Sequence, residues 1–85
     1  MNEYLVVFSS THAALAFESS FGEGGGLIPV PSSVRAGCGM GLRFFEKDHH
    51  AAWEKTRQVA ECANVANCIE GVYVRDGAQC CKLLF

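Results

Sequence analysis

The chain has 85 residues, of which 49% are hydrophobic, and a formal net charge of −2. That length allows one domain with a modest core, and that hydrophobic content argues against disorder. The slight acidic balance leaves no basic footprint for nucleic acid, and the apolar runs are too short to cross a membrane as helices. Residues 1–5, "MNEYL", lack the basic start and long apolar core of a secretory leader, so the expected setting is the reducing cytosol.

Residues 4–8, "YLVVF", form a continuous apolar run rich in strand formers, which predicts a buried central strand. Ser9, Ser10 or Thr11 can cap a helix that follows, by accepting a bond from an otherwise unpaired backbone N–H. Ala14, Phe17 and Phe21 recur at helical spacing and give this helix its apolar face. Gly22 and the run Gly24-Gly25-Gly26 end it, because glycine takes left-handed conformations without steric cost.

Residues 27–30, "LIPV", predict a second strand, placed at a sheet edge because Pro29 has no backbone donor. Residues 31–35 form a loop, and residues 39–45 predict a third strand. Residues 47–63 predict a second helix with the stripe Ala52, Thr56, Val59, Ala60 and Ala63, and Trp53 at its margin. The start of that helix carries no clear cap, although Glu46 and Asp48 suit the positive end of its dipole. Residues 69–74 predict a fourth strand ended by Asp76-Gly77, and residues 78–85 a cysteine-bearing apolar tail.

The order β-α-β-β-α-β is satisfied by an α+β domain over residues 1–77. It is a four-stranded antiparallel sheet in a ferredoxin-like arrangement, with both helices on one face and the first and third strands central. In that topology the loop between the second and third strands shares a sheet end with the start of the first helix. The loop carries Cys38, and the helix start carries Ser10, Thr11 and His12. Free N–H donors and partial positive charge there favour a thiolate, with Ser10 and Thr11 as donors; His12 reads as an ordinary surface residue or, alternatively, as a group pairing with the thiol. Cys68, and with it Cys62, falls at the same end. Two readings of Cys38 stand side by side: a reactive thiol opened by Gly37 and Gly39, or a small residue packed in a glycine turn.

Five cysteines are an odd number, so they cannot all pair within one chain. Cys62 and Cys68 are too far apart for a C-x-x-C redox or zinc motif. Cys80-Cys81 is a vicinal pair able to hold a soft metal or form a strained disulfide, or else an ordinary part of an apolar tail. Arg35 and Arg43 flank the cysteine loop and are candidates for holding an anion such as phosphate or selenophosphate, and Arg43 reads equally as a solvent-facing strand residue. His49-His50 reads as a solvated helix start, since adjacent residues point to different helix faces and no metal pair results. No pair of carboxylates suggests acid–base catalysis. Gly24-Gly25-Gly26 follows a helix rather than preceding one, so it fails as a phosphate loop.

The segments "YLVVFSSTHAALAFE", "IPVPSSVRAGCGMGLRF" and "IEGVYV" together resemble the selenium/sulfur carrier protein-like family, domain of unknown function 3343. The most specific elements are Ser10-Thr11-His12, Pro29-x-Pro31, and Cys38-Gly39 followed by Leu42-Arg43-Phe44. The resemblance covers roughly residues 4–75. It implies a cytosolic carrier rather than a stand-alone enzyme, with no permanently bound cofactor and no metal. Cys38 would accept sulfur or selenium as a persulfide or selenylsulfide. The implied donor resembles a cysteine desulfurase, and the implied acceptor a selenophosphate synthetase or a sulfurtransferase-like protein. Neither nucleic acid nor membrane is an implied partner, and a homodimer is left open. The chain departs from the family in its glycine-rich end to the first helix and in Cys80-Cys81, which would serve as secondary relay thiols or have no role. The alternatives outside this family's chemistry are a small interaction module and a soft-metal binder.

Overall fold

The structure is a computed structural model that describes residues 1–32, 34, 39–77 and 79–83. Its elements are β1 (Asn2–Phe8), α1 (Thr11–Phe21), β2 (Gly26–Pro29), β3 (Met40–Glu46), α2 (His49–Ala63), a single 3₁₀ turn (Ala66–Cys68), β4 (Ile69–Asp76) and β5 (Gln79–Lys82). The strands form one antiparallel sheet in the order β2-β3-β1-β4-β5. The expectation of four strands is therefore corrected to five. Gly77, at φ 62°, turns the chain back after Asp76, and β5 pairs along the edge of β4 that would otherwise be open. The predicted tail thus begins with a strand of the same sheet.

Alternation along β1 divides the molecule into two unequal layers. Tyr4, Val6 and Phe8 face the two helices, in a core shared with Phe17 and Phe21 of α1, Ala52, Val59 and Ala60 of α2, and Leu42, Phe44 and Val72 of the sheet. Aromatic rings run through this core from one sheet end to the other. Phe8 meets Phe17 at 5.0 Å, Phe21 meets Phe44 at 5.2 Å, and Phe44 meets Tyr4 at 5.7 Å between centroids. Such pairs add about 0.5–1.5 kcal/mol each beyond the area they bury. Leu5 and Val7 face the other way, where Val30, Val34, Ile28 and Tyr73 cover them. The segment after β2 therefore lies across part of the sheet face that the helices leave bare.

Local sequence explains the helix limits. Ser10 caps α1, its Oγ accepting the Ala13 N–H at 3.1 Å. Asp48 caps α2, its Oδ1 accepting the Ala51 N–H at 2.7 Å. The second helix thus starts at His49, two residues later than expected, because Asp48 leaves the helix to serve as its cap. Asn64 ends α2 in the left-handed conformation (φ 60°), donating its N–H to the carbonyls of Ala60 and Glu61. Thr56, fully buried in α2, satisfies its hydroxyl on the Ala52 carbonyl at 2.8 Å. Among the described residues, no helix is long and apolar enough to cross a membrane.

Candidate functional site

The sheet end reached by the C-terminus of β1 gathers several segments. Val7 lies opposite Gly41 of β3 and Gly71 of β4, so β3 and β4 both begin at this end. Ser9 donates its N–H to the Cys68 carbonyl at 2.8 Å, which ties the start of β4 to the turn into α1. Val30 donates to the Gly39 carbonyl at 2.9 Å, which fixes the two stems of the β2–β3 connection to each other. Within that connection, Val34 donates to the Pro31 carbonyl at 2.9 Å. Cys38 and Arg35 lie outside the described residues. Gly39, which follows Cys38 in the chain, is half-buried at this end.

The N-terminus of α1 opens onto the same region. Its first turn carries no acidic residue, so no carboxylate of that turn offsets the positive end of the helix dipole. The cap leaves the Ser10 hydroxyl proton able to donate, because Ser10 uses only its oxygen toward Ala13. Thr11 and His12 are exposed beside it. α2 ends here as well, which places exposed Cys62 in its last turn and half-buried Cys68 just beyond. Cys68 packs against the helix-side core.

Other residues named from the sequence stand elsewhere. Arg43 lies about 10 Å further along β3 than Met40, at ~3.4 Å per residue. Its guanidinium sits over the Phe45 ring, 5.5 Å from the centroid, on the side of Arg43 away from the β2–β3 connection. Cys80 and Cys81 are successive residues of β5, opposite Arg75 and Val74 respectively. Successive strand residues project to opposite faces, so this pair is not arranged to hold one metal ion between its sulfurs. Among the described residues, no three His, Cys, Asp or Glu side chains converge as a metal site.

One contact escaped the sequence reading. His49, taken as a solvated residue, has its Nδ1 2.7 Å from the hydroxyl of fully buried Tyr4, which also accepts from Asn2 Nδ2 at 3.2 Å. The partners are 45 positions apart in sequence, so no local spacing signals the bond. A buried tyrosine's need for a hydroxyl partner was the one available clue.

The comparisons with known proteins follow the same lines. The family described as "Putative Se/S carrier protein-like" matches residues 3–64, which run from β1 to the end of α2. The match contains Cys38 and Cys62 and leaves Cys68, Cys80 and Cys81 outside. No curated protein and no solved structure matches the chain. With most of its length inside the match, the chain belongs to the Se/S carrier protein-like family.

Proposed function

We propose that this protein carries sulfane sulfur or selenium on Cys38 and hands it to a protein acceptor. The observation that carries the reading is the extent of the family match, which takes in Cys38-Gly39 and only one other cysteine, Cys62. The architecture supports it. The first four strands and two helices serve as a ferredoxin-like frame, with β5 appended to its edge. Gly39 sits at the sheet end where α1 begins, and that helix start offers backbone donors and a first turn free of acidic residues. In this reading Ser10 and Thr11, exposed at the start of α1, donate toward the sulfur anion, and exposed His12 stands on the same turn.

The transfer is a thiol exchange. The Cys38 thiolate attacks the outer sulfur of a donor persulfide, R–S–SH. The donor's S–S bond breaks, R–S⁻ leaves, and Cys38–S–SH forms with its proton still on the outer atom. A selenium donor, R–S–SeH, reacts in the same way to give Cys38–S–SeH. Atoms and electrons balance without an external oxidant. The proposed donor is a cysteine desulfurase, the proposed acceptor a selenophosphate synthetase or sulfurtransferase-like protein, and the proposed setting the reducing cytosol.

The test is intact-mass analysis after incubation with a cysteine desulfurase and cysteine, followed by peptide mapping. The expected product is one added sulfur atom on Cys38, retained in Cys62→Ser and absent from Cys38→Ser. An adduct that maps elsewhere, or no adduct at all, overturns the carrier role. The pH dependence of alkylation at each cysteine gives a second check, with Cys38 expected to react at the lowest pH.

A further inference from the structure

Register places a distinct set of side chains on the sheet face that the helices leave bare. Arg43 lies opposite Leu5, Phe45 and Arg75 both lie opposite Glu3, Lys82 lies opposite Tyr73, and Cys80 lies opposite Arg75. Directly opposed residues share a face, and Leu5 belongs to the side away from the helices. Contacts agree with this register. Arg43 stacks over Phe45, and Arg75 pairs with Glu3 at 3.3 Å. A Cβ on Gly71 would meet both Lys82 Cε and the Tyr73 ring.

Val30 and Val34 cover the part of this face around Leu5 and Val7. Among the described residues, what remains open is a patch of Phe45, which is 49% exposed, half-buried Tyr73, and the cations Arg43, Arg75 and Lys82. Among the described residues, Glu3 is the acidic residue that the register puts on it. The patch is therefore net positive in a chain whose formal charge is −2. The compensating acids stand on the helices and at the sheet ends, among them Glu18, Asp48, Glu54 and Glu61.

We propose that this open face is a docking surface for an acidic protein partner. An exposed aromatic with an arginine stacked on it, ringed by further cations, is the mixture enriched at the centres of protein interfaces. The sign of the patch selects an acidic partner. A second copy docked through the same face would set two positive patches against each other, so a symmetric dimer is disfavoured. Single-stranded nucleic acid fits less well. One of the three cations is already engaged by Glu3, and a backbone carrying a charge at every nucleotide would run past the patch into acidic surroundings. The docking role does not depend on sulfur chemistry at Cys38.

The test is an amide-shift titration of the intact protein with an acidic glutamate–tyrosine copolymer, with oligouridylate in parallel. The expected shifts fall on Glu3, Arg43, Phe45, Tyr73, Arg75 and Lys82, and not on α1 or α2. The double variant Arg43→Glu, Lys82→Glu changes two exposed side chains, and its own amide spectrum reports that it is folded. It is expected to weaken copolymer binding at least tenfold at low salt. A reporter built into the protein gives an independent readout: bound copolymer should slow alkylation of Cys80 on this face and leave Cys62 on α2 unaffected. The proposal is overturned by any of five results: no copolymer binding, shifts confined to the helices, affinity unchanged in the double variant, tighter binding of oligouridylate, or self-association through this face.

Discussion

Gly41→Ala provides a sharp test of the packing at the start of β3. The backbone of Gly41 is ordinary, so the effect of a methyl group rests on contacts alone. A Cβ there would lie 2.8 Å from Leu5 Cδ1 and 2.9 Å from the Val6 carbonyl oxygen. The leucine tip can rotate, but it is held under Val30 on the covered part of the face. The carbonyl belongs to the central strand, so relief requires β1 and β3 to move apart. Overpacking of this kind costs about 1–3 kcal/mol. For a domain of this size, a loss of about 2 kcal/mol lowers the melting temperature by about 8–16 °C. Gly26→Ala on β2 is the matched control, since a Cβ there meets nothing within 4 Å and its φ is not positive. That change should cost nothing, and relief of unfolded-chain entropy can add up to about 1 kcal/mol. Thermal and urea unfolding of the two variants, followed by circular dichroism, make the comparison. Equal stability of Gly41→Ala and wild type would refute the packing argument. A loss in Gly26→Ala as large as that in Gly41→Ala would show that the close approach at Gly41 is not the cause.

Three further substitutions probe single contacts. Ser10→Ala removes the α1 cap and should cost about 1 kcal/mol in chemical denaturation, while Ser10→Gly should cost only a few tenths. Tyr4→Phe deletes the hydroxyl that bonds His49 and Asn2 but keeps the ring packing, so a loss of about 0.5–1.5 kcal/mol is expected. Arg57→Ala should raise the Glu54 carboxyl pKa, read by carbon-detected NMR titration. The hydrogen bond from Arg57 and then its charge hold that pKa below the usual carboxylate range. Because the folded-state value is depressed, the small stabilisation is present above the unfolded carboxylate pKa and fades as pH falls through the folded one. The stability difference between wild type and Arg57→Ala should therefore shrink toward acid pH.

Some features of the molecule are written locally, and those were legible. The run at residues 4–8 became the central strand because five consecutive apolar residues require burial on both faces, and both faces of β1 are covered. Ser10 was among the three candidate caps for α1, and Phe17 and Phe21 were placed on its buried face. The order of the first four strands and two helices is readable from periodicity and glycine positions, and β5 is not. The resemblance carried by Ser10-Thr11-His12 and Cys38-Gly39 agrees with the family match over residues 3–64.

Other local signals are ambiguous without their tertiary partners. Asp76-Gly77 is a hairpin signal, but "QCCK" has too little strand character to announce β5 without a partner, so the sequence shows only the end of a strand there. Asp48 suits a dipole partner as well as a cap, and the structure shows it as the cap that sets the start of α2.

The sequence by itself determined the alternation, the helix stripes, the turn chemistry and the family, since each depends on neighbours along the chain. Only the tertiary structure decided the pairing of Tyr4 with His49, the opposite faces of Cys80 and Cys81, and the gathering of Arg43, Phe45, Arg75 and Lys82 on one open face. These relations follow from strand register and from contacts between distant segments. A shift of one residue in register would turn each strand side chain to the other side of the sheet; burial of one face against the helices excludes it, and that burial exists only once distant segments pack together.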